Sequence, residues 1–303
     1  MKDLKILVLG DIAIDFNMQT STYPPEGGAA HASQADMRLG GSGCLTALTL
    51  SGLGLPTALA GNLGSDMFAE FIMQKIRSGG LDSSLVRRLP DEQSGFFLIA
   101  ATPSGKHTTF GNRGANAQPL PLEDITARLS EFKHLHISGY ILIDEEQFQV
   151  TRRILLRAKQ LGLTTSLDPG VCYAPEAQEK VRSLLQYIDV FLPNRDETAR
   201  LGGPGELNDQ LAVLLELGCG AVIVKLGKEG CRYYDRHQWL DQAADPIPQE
   251  EIKDITGAGD SFNGGFLSGI LAGETPAKAL RMGNRAARRI ITSPHGILDL
   301  IPT

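Results

Sequence analysis

A run of small and polar residues near the C-terminal end carries the residue types needed to transfer a charged group. Residues 254–265 read Asp-Ile-Thr-Gly-Ala-Gly-Asp-Ser-Phe-Asn-Gly-Gly, and Phe262, Phe266 and Ile270 predict a helix there. Glycines before a helix let the backbone approach a ligand, and the free N–H groups of the first turn favour an anion. Asp260 in that turn is either a capping carboxylate or a base for phosphoryl transfer to an alcohol.

A second candidate feature is the pair Asn194 and Glu197, which follows the apolar run 190–192. Asn at a helix N-cap with Glu three positions later is typical of a capping box, in which each side chain accepts the backbone N–H of the other residue. On spacing alone, this structural interpretation is favoured over a role in ligand binding.

Several common ligand-binding patterns do not occur in the sequence. The Gly-Lys pairs at 105–106 and 227–228 are followed by His107 and Glu229, so neither completes a P-loop. The first apolar run lacks the G-x-G-x-x-G of dinucleotide-binding proteins, which argues against a Rossmann oxidoreductase. The G-x-S-x-G and H-E-x-x-H patterns of hydrolases are also missing.

Short apolar runs alternate with helical patterns along all 303 residues, which predicts an α/β fold with a mainly parallel sheet. Several runs are uninterrupted, as expected for strands covered on both faces. The predicted strands are 6–9, 57–60, 134–137, 164–167, 190–192 and 221–225. The predicted helices are 45–51, 67–77, 145–161, 178–187, 208–217, 260–271 and 275–291.

Two segments in the N-terminal half break this alternation. Residues 11–38 contain a Pro- and Gly-rich stretch at 23–28, and residues 95–111 have the pattern of a β-hairpin with its turn at 103–106. These segments, the second extended to about residue 113, predict a small antiparallel sheet that lies as a lid over the ends of the parallel strands. Because no repeat or linker interrupts the pattern, we expect residues 1–303 to form a single domain.

Composition argues against several functional classes. The net charge of -6, with 29 basic and 35 acidic residues and no basic stripe, argues against nucleic acid as a partner. The uncharged segment between Arg38 and Asp66 is rich in glycine, which favours a buried helix and strand over a membrane span.

The four cysteines are Cys44, Cys172, Cys219 and Cys231. Since they show no metal-binding spacing and the chain starts with a strand pattern rather than a signal peptide, we expect reduced thiols in a cytoplasmic protein.

The run 254–266 resembles the C-terminal signature of the ribokinase-like (PfkB) family of carbohydrate kinases. Further patterns of that family occur in order at 11–15, 40–43, 61–69, 114–116, 168–169, 193–197 and 225–230. The resemblance implies a three-layer α/β/α ribokinase-like fold with a β-lid. It also implies ATP-dependent phosphorylation of a hydroxymethyl group on a sugar or sugar-like molecule.

Catalytic and nucleotide-binding roles follow from the resemblance residue by residue. Asp260 would be the catalytic base, and the amides of Gly257, Ala258, Gly259 and Asp260 would form the anion hole. Glu197 would organise Mg²⁺ through water, since magnesium keeps several waters. The residues implied to contact ATP are Asn194, Lys225, Gly227, Gly230 and Asn284. Asp254 matches a site for a monovalent cation such as K⁺, although a solvated loop carboxylate is an equal alternative.

The resemblance also implies which residues contact the substrate. Asp15 would bond substrate hydroxyls from the lid, and Gly41 and Gly43 would let the sugar lie against the backbone. Asn116 is a further substrate-binding candidate. Arg113 suggests an anionic group on the substrate, with a surface arginine as the alternative.

Three departures from the family pattern concern the substrate. Leu45 stands where ribokinases place a sugar-contacting Asn, Ala13 replaces another Asn, and Gly139 occupies the place of a substrate-binding Glu. A site without these polar partners should bind ribose poorly. The chain is therefore expected to act on another small molecule, with a nucleoside as the main alternative because Leu45, Phe96 and Phe97 would suit an apolar base.

Two further expectations follow from the same resemblance. The lid of such kinases is expected to pair between subunits, which favours a homodimer. The remaining alternative is a catalytically silent ligand-binding protein on the same fold, which the retained Asp260 and the pair Asn194 and Glu197 argue against.

Overall fold

The computed structural model describes residues 4–103, 107–170, 175–294 and 296–300, and it confirms the predicted α/β fold class. In chain order the strands are β1 Ile6–Leu9, β2 Ala13–Thr20, β3 Ala32–Gly40, β4 Thr57–Leu63, β5 Asp82–Arg88, β6 Gly95–Ala101, β7 His107–Asn112, β8 His134–Ser138, β9 Thr164–Asp168, β10 Val190–Phe191, β11 Ala221–Lys225, β12 Cys231–Tyr234 and β13 Trp239–Gln242.

The helices are α1 Ser42–Gly52, α2 Met67–Ser78, α3 Leu122–Arg128, α4 Glu145–Gln160, α5 Pro175–Leu184, α6 Arg195–Gly202, α7 Leu207–Glu216, α8 Ala258–Leu271 and α9 Pro276–Ile291. Short 3-10 segments connect several of these elements, at Gly114–Ala117, Leu129–Glu131, Gly139–Leu142, Leu185–Tyr187, Gly227–Glu229, Gln249–Glu251 and Gly296–Leu300.

A central sheet of nine strands runs in the order β13-β12-β11-β10-β9-β8-β1-β4-β5 among the described residues. The pairs from β11 across to β5 are parallel, and β12 and β13 add an antiparallel hairpin at one edge. The parallel strands therefore end together at one edge of the sheet. Ligands of open α/β sheets bind outside this carboxyl edge.

Two apolar layers cover the two faces of the central sheet. Alternate residues of β1 point to opposite faces, so Leu7 and Leu9 pack under α3, α4, α5, α6 and α7, while Ile6 and Val8 pack under α1, α2, α8 and α9. This burial on both faces explains why the strands appear in the sequence as uninterrupted apolar runs.

A second sheet, which we call the lid, has the strand order β3-β2-β6-β7. The pairs β2–β3 and β6–β7 are antiparallel, but the central pair β2–β6 is parallel, so the expectation of a purely antiparallel lid was wrong. The reason is that β2 follows β1 and β6 follows β5, and both leave the parallel sheet at the same edge in the same direction. The turn residues 104–106 lie outside the described part of the chain.

Neither β5 nor α3 was predicted from the sequence, and α6 was indicated only by the cap pattern of Asn194 and Glu197. Cys44, Cys219 and Cys231 are free thiols buried in the core, and Cys172 lies outside the described residues. Within the described ranges, none of the helices is both long and apolar enough to cross a bilayer.

Candidate active site

A cavity of about 1030 Å³ opens at the carboxyl edge of the central sheet, beneath the lid. Asp11, Asp168 and Lys225 line it from the ends of β1, β9 and β11, and Asp15 lines it from the lid. The first turn of α8 forms its floor. The cavity therefore lies where the topology alone predicts a ligand site.

The loop before α8 has the geometry of an anion hole. Gly257 has φ 75°, a left-handed conformation that favours glycine, and α8 begins at the next residue. The amide of Ala258 donates to the carbonyl of Ile255 at 3.2 Å, so it is engaged within the turn. Within the described part of the chain, the amides of Gly259 and Asp260 have no partner. These two N–H groups remain open toward the cavity at the positive end of the helix.

The carboxylate of Asp260 lies beside these amides. Its Oδ1 accepts a hydrogen bond of 2.5 Å from Ser42 Oγ, and no other described residue bonds Oδ2. Burial and the negative charge of Asp168 raise the pKa of Asp260 to about 7, although Ser42 and Lys225 oppose this shift. A carboxylate with a pKa near neutral pH, one free oxygen and a fixed orientation is suited to act as a general base.

Behind Asp260, a buried ion pair joins β9 to β11. Lys225 Nζ lies 2.6 Å from Asp168 Oδ2, and Asn263 on α8 donates to the same carboxylate oxygen. Burial alone would lower the pKa of Lys225, but the carboxylates of Asp168 and Glu197 outweigh it and raise that pKa. The lysine therefore stays charged near the anion hole.

The pair Asn194 and Glu197 forms the capping box that its spacing predicts. Asn194 Oδ1 accepts from the amide of Glu197 at 2.9 Å, and Glu197 Oε2 accepts from the amide of Asn194 at 2.7 Å. Both residues also line the cavity. Burial and the charge of Asp168 raise the pKa of Glu197 to about 8. The structural and the ligand-binding interpretations are therefore compatible at this position.

A magnesium ion would fit this corner of the cavity through water rather than through a closed protein cage. Among the described residues, no three His, Cys, Asp or Glu side chains converge as metal ligands. Glu197 Oε1, which the capping box leaves free, would hold hydrated Mg²⁺, because this ion keeps several waters and is bound mainly by phosphates.

The remaining residues implied to contact ATP also line the cavity. These are Gly227, Gly230 and Asn284. A Cβ on Gly230, which has φ 101°, would lie 2.1 Å from the carbonyl oxygen of Gln242, so only glycine fits. The side chain of Asn284 donates to the carbonyls of Gln242 and Ala243 and holds the same hairpin from α9.

The lid supplies the opposite wall. Asp15 is 6% exposed, and burial together with the charge of Asp254 raises its pKa to about 7 while Arg38 opposes the shift. Leu45, Phe97 and Ile99 add apolar surface beside it. This end of the cavity combines one carboxylate with an apolar wall.

Three residues expected to contact the substrate have other contacts in the structure. A Cβ on Gly43 would lie 2.5 Å from Gly10 Cα, so this glycine allows α1 to pack on the end of β1. Asn116 exchanges two 2.9 Å hydrogen bonds with the backbone of Ile12. Arg113 forms ion pairs with Asp11 and Asp144 at the base of the lid.

Of the glycines expected to lie beneath the sugar, Gly41 does line the cavity. The substrate side of the cavity therefore receives Asp15 and Gly41, but the structure does not place Gly43, Asn116 and Arg113 there.

Four residues at or next to the site had no role predicted from the sequence. Ser42 and Asp168 line the cavity, Asn263 bonds Asp168, and Arg38 pairs with Asp254. Asp168 had a detectable signal, since it ends a buried strand. Asn263 also had one, since it follows Asp260 by one helical turn. For Arg38, nothing in the sequence indicated that its partner would be Asp254, 216 residues away.

Open amides at a helix N-terminus, a buried carboxylate beside them and a second carboxylate beneath a lid are the arrangement that phosphoryl transfer to a small alcohol needs. The family model of the pfkB family carbohydrate kinases matches residues 3–303, and the chain belongs to this family. It is therefore an ATP-dependent carbohydrate kinase.

Several individual relatives are distant in sequence but match nearly the whole chain. A ribokinase of Staphylococcus aureus is 27% identical over 98% of this chain and 96% of its own. The structure of Arabidopsis thaliana ribokinase complexed with ribose and ATP matches with a TM-score of 0.84, 25% identity and coverage of 100% and 96%. The adenosine kinase of Sinorhizobium meliloti has a TM-score of 0.87 at 21% identity, covering 99% and 98%, which shows the shared fold alone.

Proposed function

We propose that this kinase transfers the γ-phosphoryl group of ATP to a hydroxymethyl group of a sugar or sugar-like molecule, with Asp260 as the base. One observation carries the proposal: Asp260, with Oδ2 free, lies beside the two open amides of the anion hole. Asp15, whose charge acts on Asp260, lines the same cavity from the lid.

The chemistry follows from this arrangement. Asp260 Oδ2 accepts the hydroxyl proton as the substrate oxygen forms a bond to the γ-phosphorus, and the bond between the γ-phosphorus and the bridging oxygen of ADP breaks. The amides of Gly259 and Asp260 stabilise the charge on the transferred group. Asp15 orients the substrate hydroxyls. Glu197 would hold hydrated Mg²⁺ that arrives with the nucleotide, and the ion would supply positive charge to the phosphates when bound.

A nucleoside is the second candidate substrate. Leu45, Phe97 and Ile99 line the cavity on the side of Asp15 and would pack against a base attached to the sugar. Free sugars and nucleosides therefore differ in how much of this apolar wall they cover. A coupled assay of ADP release on fructose, 2-keto-3-deoxygluconate, ribose, inosine and adenosine separates the two candidates.

The assignment of the base is tested by Asp260→Asn. We expect turnover to fall by roughly 10²–10⁴-fold, because the amide cannot accept the hydroxyl proton. ATP affinity, measured by calorimetry, should change little because the backbone amides remain. The matched control is Asp91→Asn, a change at an exposed loop residue, which should leave turnover unchanged. Turnover of Asp260→Asn within about threefold of the parent would contradict the assignment.

The role of Asp15 is tested by Asp15→Ala. A hydrogen bond to a charged group contributes roughly 1.5–3 kcal/mol, so we expect substrate affinity to fall by about 10–150-fold while ATP affinity stays constant. A parallel loss of ATP affinity would instead indicate a general distortion of the lid.

A further inference from the structure

The structure does not support a bound K⁺ at Asp254, because a side chain of the protein already occupies its carboxylate. Arg38 Nη1 lies 2.6 Å from Asp254 Oδ2, and the two side chains are 24% and 19% exposed. The other oxygen, Oδ1, accepts from the amide and the hydroxyl of Thr256 at 2.9 and 2.8 Å. Both oxygens of this carboxylate are therefore engaged.

The space beside this ion pair is too small for a cation that keeps its hydration shell. A cavity of about 20 Å³ lies between Asp15, Arg38, Asp254 and Gly257. That volume holds roughly one water molecule. The carbonyl of Ile291, another oxygen close to the backbone of Asp254, already accepts from the amides of Lys253 and Asp254.

The charges around this cavity show why a cation is needed there. Asp15 and Asp254 repel each other, and Arg38 opposes the effect of that repulsion on Asp15. Arg38 stands directly opposite Asp15 in the β2–β3 register, so both side chains are on the same face of the lid. The guanidinium thus faces three carboxylates. It forms ion pairs with Asp254, on the loop that leads into the anion hole, and with Asp36 on the lid, and its charge also offsets that of Asp15.

We propose that Arg38 is a positioning residue that takes the place of a monovalent cation, so that this kinase needs no K⁺. The guanidinium fixes the turn at Asp254 and Thr256, which sets Gly257 and the amides of the anion hole. Because Arg38 belongs to β3, it also links the position of the lid to that of the anion hole. The inference rests on the proposed function only where activity is measured.

The test compares KCl with N-methylglucamine chloride at equal ionic strength. For the parent protein we expect the rates in the two salts to agree within about twofold, and the melting temperature to be the same, because no K⁺ binds. Arg38→Met removes the charge but keeps the apolar stem. Its rate in N-methylglucamine should fall by about 10²-fold, since the anion hole is displaced.

K⁺ should then restore the rate of Arg38→Met by at least about tenfold, and it should raise the melting temperature of that variant, because an ion that binds the folded state stabilises it. Arg38→Lys retains a positive charge and should remain insensitive to K⁺. Arg88→Ala, which breaks the exposed pair of Arg88 with Glu70, is the control and should behave as the parent in both salts.

The proposal is overturned if K⁺ accelerates the parent more than about twofold, or if K⁺ changes neither the rate nor the melting temperature of Arg38→Met. Absence of phosphorylation across the whole substrate panel would reject the proposed function. The comparison of melting temperatures would still decide the role of Arg38, because it requires no turnover.

Discussion

The carboxyl group of Asp260 is held in a place that suits catalysis and costs stability. Its pKa in the folded protein is about 7, against an ordinary value of 3.8, because burial and Asp168 disfavour the charge. Folding therefore favours the protonated form. The free energy of unfolding is therefore favoured by this group at low pH, and it falls as the pH rises from the ordinary pKa of 3.8 through the raised value of about 7.

Because the pKa of Asp260 is raised, we expect Asp260→Asn to gain stability relative to the parent as the pH rises. The asparagine carries no charge at any pH, whereas the parent must bury a carboxylate above pH 7. Differential scanning calorimetry at pH 5, 6.5 and 8 measures the difference in melting temperature, which should increase over that series. Asp91→Asn should give a constant difference, and a constant difference for Asp260→Asn would contradict the raised pKa.

Leu45 predicts that free D-ribose is a poor substrate. An unpaired buried hydroxyl costs roughly 1–3 kcal/mol, and Leu45 cannot bond one. A larger side chain at Gly139 cannot restore the contact, since a Cβ there would lie 2.0 Å from the carbonyl oxygen of Pro169. Leu45→Asn should raise kcat/KM for ribose by about tenfold.

The matched control for this change is Leu53→Asn, which places the same polar group just beyond the other end of α1 at an exposed position. It should leave kcat/KM for ribose unchanged. If ribose already gives the parent its highest kcat/KM in the substrate panel, Leu45 does not exclude it.

The positions of candidate site residues were predictable where the residues lie close together in the chain. Asp260 and the glycines before it stand in one run of residues, and the anion hole is visible in that run. Asn116 and Arg113 also follow family spacing, yet their side chains bond Ile12 and Asp11, about 100 positions earlier. Such contacts are set by the packing of the lid and leave no local signal.

At the scale of single elements, α6 shows how a cap and a ligand site share the same residues. Asn194→Ala removes the acceptor that satisfies the Glu197 amide, and losing an N-cap costs roughly 0.5–2 kcal/mol. We expect a loss of unfolding free energy in this range, measured by urea titration, together with weaker ATP binding.

Two other variants separate these effects. Asn194→Asp keeps a good N-cap and should preserve stability. Thr275→Ala removes the N-cap of α9, whose side chain accepts from the Lys278 amide, outside the cavity. It should cost a similar amount of stability and leave ATP affinity unchanged. Equal ATP affinity in Asn194→Ala and Thr275→Ala would limit Asn194 to its capping role.

The elements with a strong apolar period were predictable, and those without one were not. The central strands and the long helices match the predicted runs to within a few residues. By contrast, β5 lies at the sheet edge and is largely polar, and α6 has the sequence Arg-Asp-Glu-Thr-Ala-Arg-Leu-Gly. Edge strands and polar helices bury too little surface to leave a periodic signal. The parallel pair β2–β6 depends on the direction of two distant connections, which periodicity does not encode.

At the scale of the whole molecule, the outer face of the lid predicts self-association. Met37, Phe16, Leu98 and Phe110 stand in one row across β3, β2, β6 and β7. Phe16 packs against Phe68 of α2, but Met37 and Phe110 remain 40% and 63% exposed. An exposed apolar row of this kind favours an interface with a second copy of the chain.

We therefore expect light scattering to give twice the chain mass of 32.6 kDa. Phe110→Glu should shift the protein to the monomer, because it places a charge in the apolar row. Trp239→Glu, at another exposed aromatic residue on the edge hairpin β12–β13, is the matched control and should not change the mass. A monomeric parent at micromolar concentration would refute this assembly.

The alternation of side chains along β2 determines which substitutions and insertions this strand can tolerate. Asp15 faces the cavity, whereas Ile14 and Phe16 lie on the opposite face of β2, because successive side chains of a strand point to opposite faces. A mutational library restricted to every second codon can therefore redirect substrate preference while the outward surface stays intact. The insertion of a single residue into β2 would exchange the two sets, so the length of this strand should be far less tolerant of variation than its composition.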